Sequence, residues 1–150
     1  GEMHKSSGTL FGTIYKGLKY YTKGTNGFVD ARDVSRSIIQ LVKSDISKER
    51  YLCVGENLPF KTFFELVASS LNKKAPSKLA KPWLTGIAWR LVGLISFISG
   101  KNPAITKESV STSHFINQYN SDKLKQAIDF KFTPIKEACE NTGAFFLKSK

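Results

Sequence analysis

The stretch Lys16-Gly17-Leu18-Lys19-Tyr20-Tyr21-Thr22-Lys23-Gly24-Thr25-Asn26-Gly27-Phe28-Val29-Asp30-Ala31-Arg32-Asp33-Val34 decides the fold class. Lys19 to Thr22 reads as a short strand, because aromatic side chains fit a pleated, half-covered surface. Lys23 to Gly27 is a turn cluster, and Asn26-Gly27 is the strongest hairpin-turn dipeptide in the chain. Phe28 to Ala31 then reads as a second strand. Asp33 stands where a side chain can satisfy the free amides of a new helix, and its charge suits the positive end of the helix dipole. Val34, Ile38, Leu41 and Val42 recur at helical spacing, which predicts a helix to about Ser44 with that apolar face buried.

Upstream, Ser6 and Ser7 can cap a first helix that turns Leu10, Phe11, Ile14 and Leu18 to one side, with Gly17 weakening its end. Downstream, Arg50 to Val54 reads as an apolar strand covered on both faces and ended by Gly55-Glu56-Asn57. Pro59 suits the first turn of a helix reaching about Asn72, with Phe63, Leu66, Val67 and Leu71 in register. Lys73 to Pro82 is a connector whose middle, Ser77 to Ala80, suits a short extended piece. Trp83 to Ile98 is apolar over most of a helix circumference and needs protein on two sides. It contains Arg90 and falls short of the roughly 20 apolar residues of a membrane span. Asn102-Pro103 opens a loop, and Thr106 can cap a short helix. Phe115 to Tyr119 alternates like a strand, and Ser121 suits a cap for a helix through Ile128. Thr133-Pro134 opens a last helix with Ile135, Ala138, Cys139, Thr142 and Phe145-Phe146 on its apolar side. The sum is a helix-rich α/β chain with short strands far apart in sequence, whose sheet is not complete within the chain. A length of 150 residues suits one core and one domain, spanning 1–150.

Hydrophobic residues make up 41% and charged residues 23%, a globular rather than a disordered balance. The net charge of +11 comes mostly from lysines spread along the chain. Arginine occurs only at positions 32, 36, 50 and 90, and no basic run exceeds two residues. Nucleic-acid binders concentrate their basic groups on one element. Solvated lysine faces are therefore the expected reading, with part of the excess facing acidic surface elsewhere in a longer chain. A stand-alone basic module for nucleic acid or an anionic membrane surface is the alternative. Cys53 and Cys139 sit in apolar stretches with no CxxC spacing, as buried reduced thiols do, although one disulfide remains open. With no secretory leader in Gly1 to Leu10, the expected location is cytoplasmic.

Absences weigh most in the search for chemistry. No GxxGxxG or GxGxxG follows a strand, so no phosphate-cradling turn is present, and no cofactor is expected within this chain. Tyr15 and Lys19 formally spell Tyr-x-x-x-Lys, but beside a glycine-broken helix end and without a catalytic serine context. No Walker loop, HExxH, GxSxG or zinc spacing occurs, so no catalytic or metal residue is assigned. His4 and His114 stand alone and read as surface or structural residues. Glu56 lies at a strand's C-terminal end, where α/β sites gather, yet a loop carboxylate is more often simply solvated. Arg32 and Arg36 share one face and can bind an anion or pair with Asp30 and Asp33; pairing is the favoured reading.

The stretch from Lys16 to Val34 resembles the segment that follows the substrate loop in extended short-chain dehydrogenases/reductases. Those enzymes include NAD-dependent epimerases/dehydratases and dihydroflavonol-reductase-like proteins. Arg50-Tyr-Leu-Cys-Val-Gly-Glu-Asn-Leu-Pro-Phe-Lys-Thr-Phe-Phe-Glu-Leu looks like the family's next strand and helix, and Asn120-Ser-Asp-Lys-Leu-Lys-Gln-Ala-Ile-Asp-Phe-Lys-Phe-Thr-Pro-Ile-Lys-Glu like its closing helices. The resemblance implies the C-terminal, substrate-side part of a Rossmann-type enzyme, inactive by itself and lacking the N-terminal dinucleotide-binding domain. NAD or NADP is implied for the full-length parent only. The carried-over substrate positions are Ser6, Ser7, Asn26, Phe28 and the loop at Pro103. The implied partners are a small-molecule substrate, either a sugar nucleotide or a less polar carbonyl or alcohol compound, and the missing Rossmann domain. Apolar surface left bare without that domain invites a homo-oligomer. Two departures stand out. Asn26 occupies about the place where sugar-nucleotide members often carry an arginine, and Asp129 stands where glycine is usual, so a different helix cap is expected there.

Overall fold

The computed structural model describes residues 7–80 and 113–149. Its elements run α1 (Ser7–Tyr15), β1 (Tyr20–Tyr21), β2 (Thr25–Phe28), α2 (Ala31–Val42), β3 (Glu56–Pro59), α3 (Phe60–Ser70), β4 (Lys78–Leu79), α4 (Asp122–Ile128) and α5 (Ile135–Lys148). Helices dominate, and the strands form two small pairs. β1 runs parallel to β4, and β2 runs antiparallel to β3. The fold is thus helix-rich α/β with an incomplete sheet. The apolar Trp83 to Ile98 run, Pro103 and the Thr106 helix lie outside the described residues, as does Ser6.

The core lies where α1, α3 and α5 meet. Phe11 and Ile14 from α1, Val67 and Ala68 from α3 with Leu71 just beyond it, and Ile135, Cys139 and Phe146 from α5 are all buried. These positions recur at helical spacing, so each helix delivers one apolar stripe. Phe146 closes the contact to α1 through Phe11 and Tyr15, with ring centroids 6.5 and 5.7 Å apart. α3 and α5 approach so closely that a Cβ on Gly143 would lie 2.8 Å from the Ser70 Cβ. Only glycine lets two backbones meet at that distance. Phe145, expected on the buried side with Phe146, is 52% exposed. The stripe holds one of two adjacent phenylalanines, since neighbouring residues point about 100° apart around a helix.

Helix ends explain several differences from the sequence reading. Gly17 terminates α1 rather than merely weakening it. It adopts φ 95°, and the Leu18 N–H donates to the Thr13 carbonyl while Gly17 N–H donates to Ile14. That pair of hydrogen bonds is the Schellman stop, which needs a left-handed residue. Asn72 at φ 52° does the same for α3, with Lys73 N–H donating to Ala68 and Asn72 N–H to Ser69. At the end of α4 the glycine position is taken by Asp129 at φ 46°, and Phe130 N–H donates to Lys125. A short polar side chain tolerates this conformation better than most, at some cost.

The strand boundaries also differ. Asn26-Gly27 is no hairpin turn: both residues lie inside β2, opposite Leu58 and Asn57. The partner strand comes from far along the chain, so the dipeptide has no local turn to make. Val29 to Ala31, expected as strand, leaves the sheet at once, because Asp30 caps α2 by accepting the Arg32 N–H at 2.8 Å. Arg50 to Val54 is not a paired strand. Pairing begins two residues later, in Glu56–Pro59, which aligns antiparallel to β2 and leads through Pro59 into α3. Phe115 to Tyr119 contributes a single parallel bridge, Thr25 to Ile116. Its backbone still clasps β2, with Gly24 and Thr25 N–H donating to Ser113 and Phe115, and Asn117 N–H donating to Thr25.

α2 reverses the expected burial. Ile38 and Val42, placed on the buried face by their spacing, are 55% and 80% exposed. The buried residues of α2 are Asp33 and Ser37. Helical spacing shows which side of a helix needs cover, and the described residues do not supply that cover.

Candidate functional site

The polar heart of the molecule is built from side chains that behave like backbone. Asn57, on β3, accepts the Tyr119 N–H at 2.9 Å and donates to the Tyr119 carbonyl at 2.8 Å. Ser121 Oγ accepts the Val54 N–H at 3.0 Å and donates to the Val54 carbonyl at 2.7 Å. Each side chain thus makes the two bonds that a paired strand residue would make. Ser121, expected as a helix cap, precedes α4 but makes no side-chain cap bond, because its hydroxyl is committed to Val54. Gly27 lies beneath this clasp: a Cβ there would lie 2.7 Å from Val54 Cγ1 and 2.8 Å from the Tyr119 ring.

Around the clasp opens a groove of about 480 Å³, lined among others by Asn57, Tyr119, Asn120, Asp122 and Lys125. Lys125 Nζ sits 3.2 Å from the Asp122 carboxylate, and the Asp122 N–H donates to Asn120 at 2.6 Å. The Lys125 ammonium, followed by Asn120, holds the Asp122 carboxyl below its ordinary 3.8. A second groove, about 430 Å³, shares Gly55 and Lys125 with the first and is walled by Phe130, Phe132 and Pro134. A third hollow, about 730 Å³, lies beside Ile46, Glu49, Tyr51 and Lys123. Lys123 bridges it, 2.6 Å from Glu49 and 5.1 Å from the Tyr51 ring centroid.

Two carboxylates anchor the start of α5. Asp33, 1% exposed, accepts the Thr133 N–H at 2.6 Å and the Thr133 hydroxyl at 3.0 Å, and pairs with Arg36. Asp33 is therefore no cap for its own helix but a tie to the far end of the chain. Glu56, a solvated loop carboxylate or a site residue on the sequence reading, accepts the Ile135 N–H at 2.8 Å. It satisfies one of the free amides at the α5 N-terminus, where negative charge also suits the dipole. Arg32 pairs with Asp30 at 2.6 Å, so both arginines of α2 pair with acids, as their spacing favours.

The sequence-nominated substrate residues gather only in part. Asn26 and Phe28 share one face of β2, but neither lines a groove described above. Phe28 stacks on Phe63 with centroids 3.9 Å apart and meets Phe60 edge-on at 6.1 Å, which packs it against the core. Asn26 is half-buried opposite Leu58. Ser7 begins α1. Tyr15, of the formal Tyr-x-x-x-Lys match, packs on Phe146, and Lys73 Nζ lies 4.5 Å above its ring. Asn57, Tyr119 and Asn120 line the groove yet carry no motif in the sequence. Their meeting depends on a contact across 62 residues.

The groove offers amides, a carboxylate and an ammonium, which suits hydrogen bonding to a polar ligand. Among the described residues no group of three or more His, Cys, Asp or Glu could hold a metal ion, and no helix is long and apolar enough to cross a membrane.

The architecture has known counterparts. The crystal structure of gox2253 superposes with a TM-score of 0.73 at 21% identity, over 97% of this chain and 44% of that one. PA4631, a nucleoside-diphosphate-sugar epimerase from Pseudomonas aeruginosa, superposes with a TM-score of 0.69 at 18% identity, over 99% of this chain and 44% of its own. The fold is that of part of an epimerase-type chain. This chain spans less than half the length of either neighbour. No family model and no curated protein matches the sequence.

Proposed function

We propose that the chain is the C-terminal, substrate-side portion of an NAD(P)-dependent enzyme of the epimerase, dehydratase or reductase type, inert without a dinucleotide-binding half. One observation carries the reading. Nearly the whole chain superposes on 44% of an epimerase-type structure, while the strands among the described residues make only two short pairs. A sheet that small is incomplete by the standards of an α/β domain, whose ligands sit at the ends of a longer parallel sheet. In this reading the groove beside Asn57, Tyr119 and Asn120 takes part of the substrate. The resemblance implies Ser6, Ser7, Asn26, Phe28 and Pro103 as further substrate contacts. The substrate is a sugar nucleotide or a less polar carbonyl or alcohol compound, and the location is cytoplasmic. NAD or NADP belongs to the absent half.

Two measurements test this. NAD(H) fluorescence and thermal-shift titrations on this chain alone are expected to be flat, and tight binding would refute the fragment reading. The sequence encoded ahead of Gly1 in the native gene is expected to contain a glycine-rich strand–turn–helix and a Tyr-x-x-x-Lys pair.

A further inference from the structure

The lysines that the sequence scatters are gathered by the fold. Residues 7–29 and 57–80 hold seven lysines and one acid, Glu65. Residues 30–56 hold five basic and five acidic side chains, and residues 113–149 hold five and four. Nearly all the net charge of the described residues therefore belongs to two segments, and these pack on each other. The Lys78 N–H donates to the Lys19 carbonyl, where β4 runs beside β1. Lys61, in the first turn of α3, places its ammonium 5.8 Å from the Tyr21 ring centroid. Lys23 precedes Gly24, whose carbonyl accepts the Phe60 N–H next to Lys61. Lys73, just past the end of α3, lies 4.5 Å from the Tyr15 ring centroid, with Lys16 and Lys74 next in sequence to that pair. All seven lysines are exposed. Among the described residues only Lys61 of the seven meets an acid, Glu65 at 3.7 Å. None lines a groove described above, so the face has no part in the proposed function. Like charges gathered with so little counter-charge repel one another and focus a positive field, which an anionic partner relieves.

We infer that this lysine face rests on an anionic lipid surface. Three observations choose lipid over nucleic acid. The two segments contain no arginine, the side chain whose planar fork suits phosphates and base edges. Of the tyrosines at the patch, Tyr15 and Tyr21 have an ammonium over the ring, where a base would stack. Lysine stems lying along aromatic rings with their charges outward, beside the 44% exposed Tyr20, are the combination that settles at lipid headgroups. The third observation is the sequence that leaves the patch. Two residues beyond Ala80 it enters the apolar stretch Trp83 to Ile98, which holds both tryptophans of the chain. An apolar stretch has no use on a phosphate backbone. Stable attachment to a bilayer surface takes two signals, and a polybasic patch next to an apolar stretch supplies both.

Cosedimentation of the chain with phosphatidylcholine vesicles, with and without phosphatidylserine, tests this. Binding is expected only with phosphatidylserine and is expected to weaken as salt rises. A lysine near an anionic bilayer raises partition about fivefold, so Lys19→Gln, Lys74→Gln and Lys78→Gln together are expected to lower it about 100-fold. Lys43→Gln, Lys131→Gln and Lys136→Gln remove the same charge from the balanced part of the chain, and are expected to lower partition less than about fivefold. Both triples replace exposed side chains and are expected to keep the circular-dichroism spectrum of the unaltered chain. No binding to the phosphatidylserine vesicles overturns the inference. Equal losses in the two triples mean that net charge alone attaches the chain, and overturn it too. Equal binding to pure phosphatidylcholine assigns attachment to apolar residues without the lysine face, and does the same. A DNA duplex or single strand held more tightly than the anionic vesicles, and lost with Lys19, Lys74 and Lys78, assigns the patch to nucleic acid and likewise overturns the inference.

Discussion

Replacing Asp33 by alanine probes the tie that joins the two ends of the chain. The carboxylate is 1% exposed and serves three donors: the Thr133 N–H, the Thr133 hydroxyl and the Arg36 guanidinium. A hydrogen bond to a charged group contributes about 1.5–3 kcal/mol, and a buried donor left without its acceptor costs about 1–3 kcal/mol. The bonds share one carboxylate and are not additive, so the expected loss for Asp33→Ala is about 4 kcal/mol. That is a large share of a typical domain's 5–15 kcal/mol, and corresponds to a fall in Tm of about 8–16 °C for a chain of this size. Asp33→Asn keeps one acceptor for Thr133 N–H and loses the charge, for an expected cost of about 2 kcal/mol. Arg36 is 54% exposed at its side chain, and without it Asp33 keeps both bonds from Thr133, so Arg36→Ala is expected to cost clearly less than Asp33→Ala, about 1–2 kcal/mol. Urea unfolding of the three variants gives the order directly. A loss below about 1 kcal/mol for Asp33→Ala, or an Arg36→Ala loss equal to it, refutes the view that the backbone tie to Thr133 is what matters.

Three further outcomes are expected. Asp30 is held below its ordinary 3.8, first by the hydrogen bond from Arg32 and against the opposing effect of burial; a depressed carboxyl stabilises the fold above that value and loses its contribution as pH falls through the folded pKa, so Asp30→Asn, which keeps the cap acceptor, is expected to flatten the acid limb of a Tm-against-pH curve below about pH 4. Burial, with Glu140 and Glu56 adding to it, pushes the Cys139 thiol up to about 11; at pH 8 about one molecule in a thousand carries that thiolate, so maleimide is expected to modify the partly exposed Cys53 first and to reach Cys139 only on unfolding, as peptide mass mapping will show. Asp129 sits in the left-handed region at φ 46° at the end of α4, so Asp129→Gly is expected to raise stability by about 0.5–1 kcal/mol in urea melts, and a loss would mean that the aspartate makes up the strain elsewhere.

Sequence and structure agree where the information is local. The α1, α3 and α5 stripes follow from spacing alone, and Ile14, Val67 and Leu71 are buried as that spacing predicts. The Tyr20–Tyr21 strand and the extended piece near Lys78 are also found, paired with each other. What local pattern cannot carry is partnership. Asn26-Gly27 has the chemistry of a turn, but β3 arrives from 30 residues away, so the dipeptide becomes strand. Asp33 has the chemistry of a cap, but Asp30 takes that place and frees Asp33 to reach Thr133. Asn57 and Ser121 acquire their roles only when residues 119–121 come alongside β3, and no spacing in the sequence announces that meeting. α2 is the instructive case: its period is legible and its covering is not, since a hydrophobic stripe specifies that a neighbour is needed without specifying which.

The tie between Asp33 and Thr133 spans 100 residues, and this has a consequence for how the chain is made. On a ribosome adding about 5–20 residues per second, Asp33 emerges roughly 5 to 20 s before the residue it grips. Through that interval the acid stays hydrated and the first turn of α2 lacks its anchor. Glu56, Asn57 and Val54 wait similarly for Ile135, Tyr119 and Ser121. The N-terminal half therefore lacks these contacts while it is being synthesised. Its polar contacts close late, those to Tyr119 and Ser121 first and those to Thr133 and Ile135 only once the start of α5 has emerged.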